Sequence, residues 1–153
     1  NTKDKKDSYI AQLVKAIKYY SNQYPGQKFL IIGDFNSNET FDTKFKNRIE
    51  NHSMLVSLLK EIDIYSIYHH KNNELHGLES KSTHFHRKNL SSKHHIDYAF
   101  VPATYLDNCK FSIGSIDKYL NHSDHLPIFI QLHNLKSQLL TEENYNGETD
   151  LLK

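Results

Sequence analysis

Three short polar groups in the sequence each border an apolar run, and their residue types suit acid–base and phosphate chemistry. The first is Gly33-Asp34-Phe35-Asn36, directly after Phe29-Leu30-Ile31-Ile32. Asp34 can accept a proton or orient a water, and Asn36 can donate a hydrogen bond to a phosphate-type oxygen. Taken alone, the pair is equally a turn in which the carboxylate caps its own backbone. The second is His94-His95-Ile96-Asp97-Tyr98, which opens onto Ala99-Phe100-Val101. A carboxylate inside a strand is costly unless paired. Asp97 is therefore expected to have a partner, either in a structural salt bridge or hydrogen bond or as a catalytic histidine that it orients. The third is Asn121-His122-Ser123-Asp124-His125, just before Leu126-Pro127-Ile128-Phe129-Ile130. Asp124 can hold a hard cation through oxygen, and His125 can donate to a phosphoryl oxygen. The plain alternative is a solvated loop.

Gly-Asp-Phe-Asn, Ile-Asp-Tyr and Ser-Asp-His-Leu-Pro, in this order and each joined to an apolar strand, resemble the endonuclease/exonuclease/phosphatase superfamily. The resemblance runs over about residues 8 to 132. It implies an α/β (α+β) fold, part of a four-layer α/β sandwich with two packed mixed sheets and helices outside. It also implies hydrolysis of a phosphoester assisted by Mg²⁺ or Mn²⁺. Carried onto matching positions, Asp34 would activate or position the attacking water, and Asn36 would hold that water and the phosphate. His125 would bind the phosphoryl oxygen and be held by Asp97, while Asp124 would lie on the metal side. Thr83, His84 and His86 fall in a region that lies near the substrate pocket in relatives. His95 stands where Arg often precedes Ile-Asp-Tyr, and is a further substrate-side expectation.

The chain departs from the superfamily pattern at its start. Complete members carry an early Asn motif and a Gln-Glu whose Glu is the principal metal ligand. This chain has no Trp, and its first Glu is Glu39, after the Gly-Asp-Phe-Asn motif. Residues 1–133 therefore read as the C-terminal portion of such a domain, and residues 134–153 as a tail with a short, fraying helix. The expected partners are the missing N-terminal half and a phosphoester substrate, DNA or RNA among the candidates. These 153 residues alone are expected to be inactive or nearly so. The rival reading is a non-catalytic module of the same fold that binds nucleic acid or protein.

Elements must place these groups. Ile10, Leu13, Val14 and Ile17 fall on one helical face, with Asp7 or Ser8 as cap and Tyr24-Pro25-Gly26 as the stop. Lys28–Ile32 reads as a buried strand, followed by a loop through Glu39 and Thr40. A second helix, capped by Ser53, would carry Met54, Leu55, Leu58, Leu59 and Ile62 inward. Strand-like runs follow at 64–69, 83–87, 95–101, 110–116 and 126–132. A helix–strand–helix start followed by several strands suggests a layered α/β or α+β domain.

Composition sets the outer bounds. The net charge of +1 gives no global basic field calling for nucleic acid. The single Cys excludes an internal disulfide framework and fits a reducing, intracellular setting. No apolar run reaches the ~18 residues that a membrane span needs. The chain's 11 His residues invite a zinc reading through His84, His86, His94 and His95. No Cys pair assists it, so structural or phosphate-facing roles rank ahead. His69-His70, at a strand end, reads as solvated.

Overall fold

The computed structural model describes residues 9–43 and 50–133. The tail expected at 134–153 and the charged start at 1–7 lie outside them.

Helix α1 (Tyr9–Gln23) follows the apolar period and buries Ile10, Ala11, Val14 and Ile17. Strand β1 (Ile31–Asp34) comes next, beginning later than the apolar run suggests and ending on the carboxylate itself. The expected loop after it contains a single-turn helix, α2 (Glu39–Asp42), because the Asn38 side chain accepts from the Thr40 amide and starts a turn. Helix α3 (His52–Glu61) is capped by Asn51, whose side chain accepts from the Met54 amide. Ser53 is thus not the cap: its hydroxyl donates to Asp42 at 2.8 Å. Met54 is exposed, whereas Leu55 and Leu59 are fully buried.

The run at 64–69 divides. Strand β2 (Ile64–Ser66) passes directly into helix α4 (Ile67–Asn72). Strands β3 (His84–Phe85) and β4 (Lys93–His94) form a small hairpin around a 3₁₀ turn. Strand β5 (Asp97–Pro102), the turn α5 (Ala103–Leu106), strand β6 (Cys109–Ile113), the turn α6 (Ile116–Tyr119) and strand β7 (Ile128–Leu132) complete the order.

Strand β5 is central, with β1 on one side and β2 on the other, both antiparallel. All six of its residues are buried, since alternate side chains serve two cores. Tyr98 and Phe100 face the first, with Ile10, Val14, Leu55, Leu59 and Phe35 from the α1, α3 and β1 side. Ala99 and Val101 face the second, with Ile67, Leu106 and Cys109, backed by Phe111 and Ile130 of the β6–β7 pair. The architecture is α+β. Every strand pairing among the described residues is antiparallel, in three small sheets.

Candidate active site and a buried histidine cluster

The β1–β5 register sets Asp34 directly opposite Asp97. Like charges facing each other across a strand pair are destabilising without compensation. Compensation comes from both sides. The Asn36 amide donates to Asp34 Oδ1 at 2.8 Å, and its side-chain Nδ2 donates to Oδ2 at 2.9 Å. His125 Nδ1 lies 3.1 and 3.0 Å from the two Asp97 oxygens. Carboxylate oxygens only accept, so Nδ1 carries the proton and Nε2 is left for a ligand. One donor atom each from Asp34, Asp97 and His125 falls within 4.8 Å of the others. Asp97 and His125 line a cleft of about 430 Å³ together with Gly33, Tyr119, His122, Leu126 and Pro127.

Local backbone makes this possible. Gly33 sits at φ +150°, a conformation that side-chain-bearing residues rarely adopt. Asn36 is left-handed at φ 47°, which Asn tolerates better than most residues. The turn reading of the sequence pattern holds: Asp34 accepts from the Asn36 amide and side chain, directly opposite Asp97. His125 is fixed by pairing of its loop with β3. The Leu126 amide donates to Thr83 O at 2.6 Å and the Phe85 amide to Asp124 O at 2.7 Å.

The other expected site residues divide by position. His84 packs its ring 4.5 Å from that of His125, and its Nε2 lies 3.7 Å from Asp124. Asp124 therefore faces His84. His86 is exposed, its ring 6.1 Å from that of His84. Thr83 is fully buried. Its hydroxyl accepts from the Ile96 and Asp97 amides at 3.1 and 3.0 Å, so it works by holding Asp97 in place. His95 is also buried, its ring tilted against Tyr68 and edge-on to Tyr98 and His69, with Nδ1 2.8 Å from Lys81 O. Burial lowers its pKa, so it brings no ready positive charge toward a phosphate.

Behind this surface lies a second polar centre that the sequence reading did not assemble. His69, read as solvated, is buried on α4 with Nε2 3.1 Å from Glu79. Its neighbour His70 is indeed exposed, paired with Asp107. The His69 and His76 rings stack at 3.6 Å, and His76 Nδ1 lies 3.1 Å from His52 Nε2. Burial pushes the pKa of His52 down to about 4 and that of His76 down to about 3. Burial alone would raise the Glu79 carboxyl. Hydrogen bonds from His69, Asn38 and the Gly77 amide outweigh it and hold the pKa at about 2. Asn38 ties this centre to the cleft, since its Nδ2 lies within 3.1 Å of Glu79, the His95 carbonyl and the Tyr98 hydroxyl. Asn38 stands only two residues past Asn36.

No protein-family model matches the chain, and no curated protein matches it significantly.

Proposed function

We propose that these residues belong to a divalent-metal-dependent phosphoester hydrolase of the endonuclease/exonuclease/phosphatase type. The observation that carries this reading is the Asp34–Asp97 register pair with His125 bound through Nδ1 to both Asp97 oxygens. Two facing carboxylates with a histidine oriented by one of them suit an oriented water on one side and a phosphoryl oxygen on the other.

The donors present fit a Mg²⁺ or Mn²⁺ ion. Mg²⁺ is usually held by one or two carboxylates, with waters and substrate phosphate completing its shell. Asp34 offers the accessible carboxylate, and Asp97 the buried one. Such an ion supplies Lewis acidity and charge neutralisation at the phosphate. Asp34 takes the proton of the attacking water, or orients it, while Asn36 fixes the Asp34 carboxylate. As the imidazolium, His125 donates from Nε2 to a phosphoryl oxygen while its Nδ1–H is held by the Asp97 carboxylate. Thr83 keeps Asp97 at the strand entrance. His84, against the His125 ring, limits its movement. The principal metal carboxylate is expected from sequence outside these 153 residues, so they alone should turn over little substrate. The four-layer sandwich belongs to the same proposal.

The test is a hydrolysis panel on the full-length protein: plain and abasic DNA, RNA, and a chromogenic phosphodiester, each with Mg²⁺ or EDTA. Metal-dependent cleavage of any of these supports the reading. Inertness on all of them, with tight binding to one, would favour a non-catalytic binding module.

A further inference from the structure

The buried centre behind the cleft has the composition of a metal site. We propose that His69, His76 and Glu79 bind one transition-metal ion of the Zn²⁺ class, structural in role and separate from the Asp34–Asp97–His125 site.

Geometry comes first. One ring nitrogen from each histidine and one Glu79 oxygen lie within 4.8 Å of one another. A tetrahedral ion with bonds of about 2.0–2.1 Å sets its ligand atoms roughly 3.3 Å apart. The His69 Nε2 to Glu79 Oε1 separation is already 3.1 Å, so only His76 has to close in. The three ligands come from one short segment, the end of α4 and the turn that follows. Gly77, at φ +81°, makes the bend that returns Glu79 to the His76 side. A Cβ there would lie 3.3 Å from that of Glu39, so the turn is both strained and close for any other residue.

Each ligand also has an outer partner, as metal ligands commonly do. His69 Nδ1 lies 2.7 Å from Ser66 Oγ, which leaves Nε2 as the ligating atom. His76 Nδ1 meets His52, whose own Nδ1 meets Ser37 Oγ at 3.2 Å. The second oxygen of Glu79 accepts from Asn38 at 3.1 Å. Two imidazoles and one carboxylate suit Zn²⁺, Fe²⁺ or Ni²⁺, whereas Mg²⁺ and Ca²⁺ prefer all-oxygen sets. The side chains of His69 and Glu79 are only 8% and 5% exposed, the enclosure of a structural ion. The fourth position is open to a water or to a shifted His52.

Bound there, the ion would pin α4 to the 73–82 loop and, through Asn38, to the turn after Asp34. This inference does not depend on the hydrolase reading.

The test is isothermal titration of Zn²⁺, and separately of Fe²⁺ under anaerobic conditions, into chelator-stripped full-length protein. Excess Mg²⁺ is present throughout to occupy the cleft. The expected result is one equivalent bound. His76→Gln and Glu79→Gln should each weaken binding about 100-fold or more, while His70→Gln and Asp34→Asn leave it unchanged. At about a hundredfold excess over Kd the melting midpoint should rise by about 5–10 °C in the wild type and in neither ligand variant. Circular dichroism of the stripped variants separates lost binding from lost fold, and His69→Asn provides an independent third ligand variant. No saturable binding at micromolar concentrations, or binding that survives both His76→Gln and Glu79→Gln, would overturn the site.

Discussion

A buried carboxylate and the histidine it holds are one unit, and removing either leaves the other in the wrong form. Asp97→Asn keeps the size but removes the carboxylate that accepts from Nδ1–H and balances a doubly protonated His125 ring, whose Nε2–H faces the phosphate. Hydrolysis by the full-length protein should then lose about 10²- to 10⁴-fold in kcat with little change in KM, as steady-state kinetics on a chromogenic phosphodiester would show. Thr83→Val is a separate case, because the side chain is buried and its shape is kept. It strands the Ile96 and Asp97 amides and should cost about 1–3 kcal/mol in urea unfolding. The histidine cluster sets an acid limit. In the metal-free protein, His52 takes up its proton only near pH 4 when folded but near 6.5 when unfolded. Asp42 and Glu79 oppose that shift, while His69 and His95 add to it. Between those values the unfolded chain binds the extra proton, so stability falls as pH falls from 6.5 to 4, by on the order of 3 kcal/mol. His52→Gln should flatten this slope in chemical unfolding measured across that range.

At the scale of elements, punctuation in the sequence decided what was legible. Helix α1 follows from its period and stops where Tyr24-Pro25-Gly26 requires. The strand that ends at Asp34 and the strand that starts at Asp97 both follow from apolar runs bordered by polar motifs. The turn from β2 into α4 did not, because Ile64-Tyr65-Ser66-Ile67-Tyr68-His69 holds β-prone residues throughout and no Gly or Pro to mark the change. Ser66, the last residue of β2, is also the N-cap of α4, and only tertiary packing separates the two roles. The cap of α3 lies two residues before the expected Ser53, since Asn51 and Ser53 are both good cap residues. Asn51→Ala should therefore cost about 1 kcal/mol in thermal unfolding. Ser53→Ala should act through the lost Asp42 contact instead.

Across the whole molecule, the two polar centres share β5 and the turn after β1. The candidate active site was legible because its residues sit in compact motifs at strand ends. The histidine cluster was not, because His69, His76 and Glu79 form no compact motif at a strand end, and His52 comes from α3 and reaches His76 only in the folded chain. The core supports both. Leu59, fully buried among α1, α3 and β5 residues, should cost about 2–5 kcal/mol on replacement by Ala, read from the shift in unfolding midpoint. The most direct test of the central claim compares full-length wild type with Asp34→Ala and His125→Ala on a chromogenic phosphodiester, with Mg²⁺ and with EDTA, after each variant is shown to melt cooperatively. The account requires metal-dependent turnover in the wild type and its loss in both variants. Turnover that persists in folded Asp34→Ala or His125→Ala protein would contradict it.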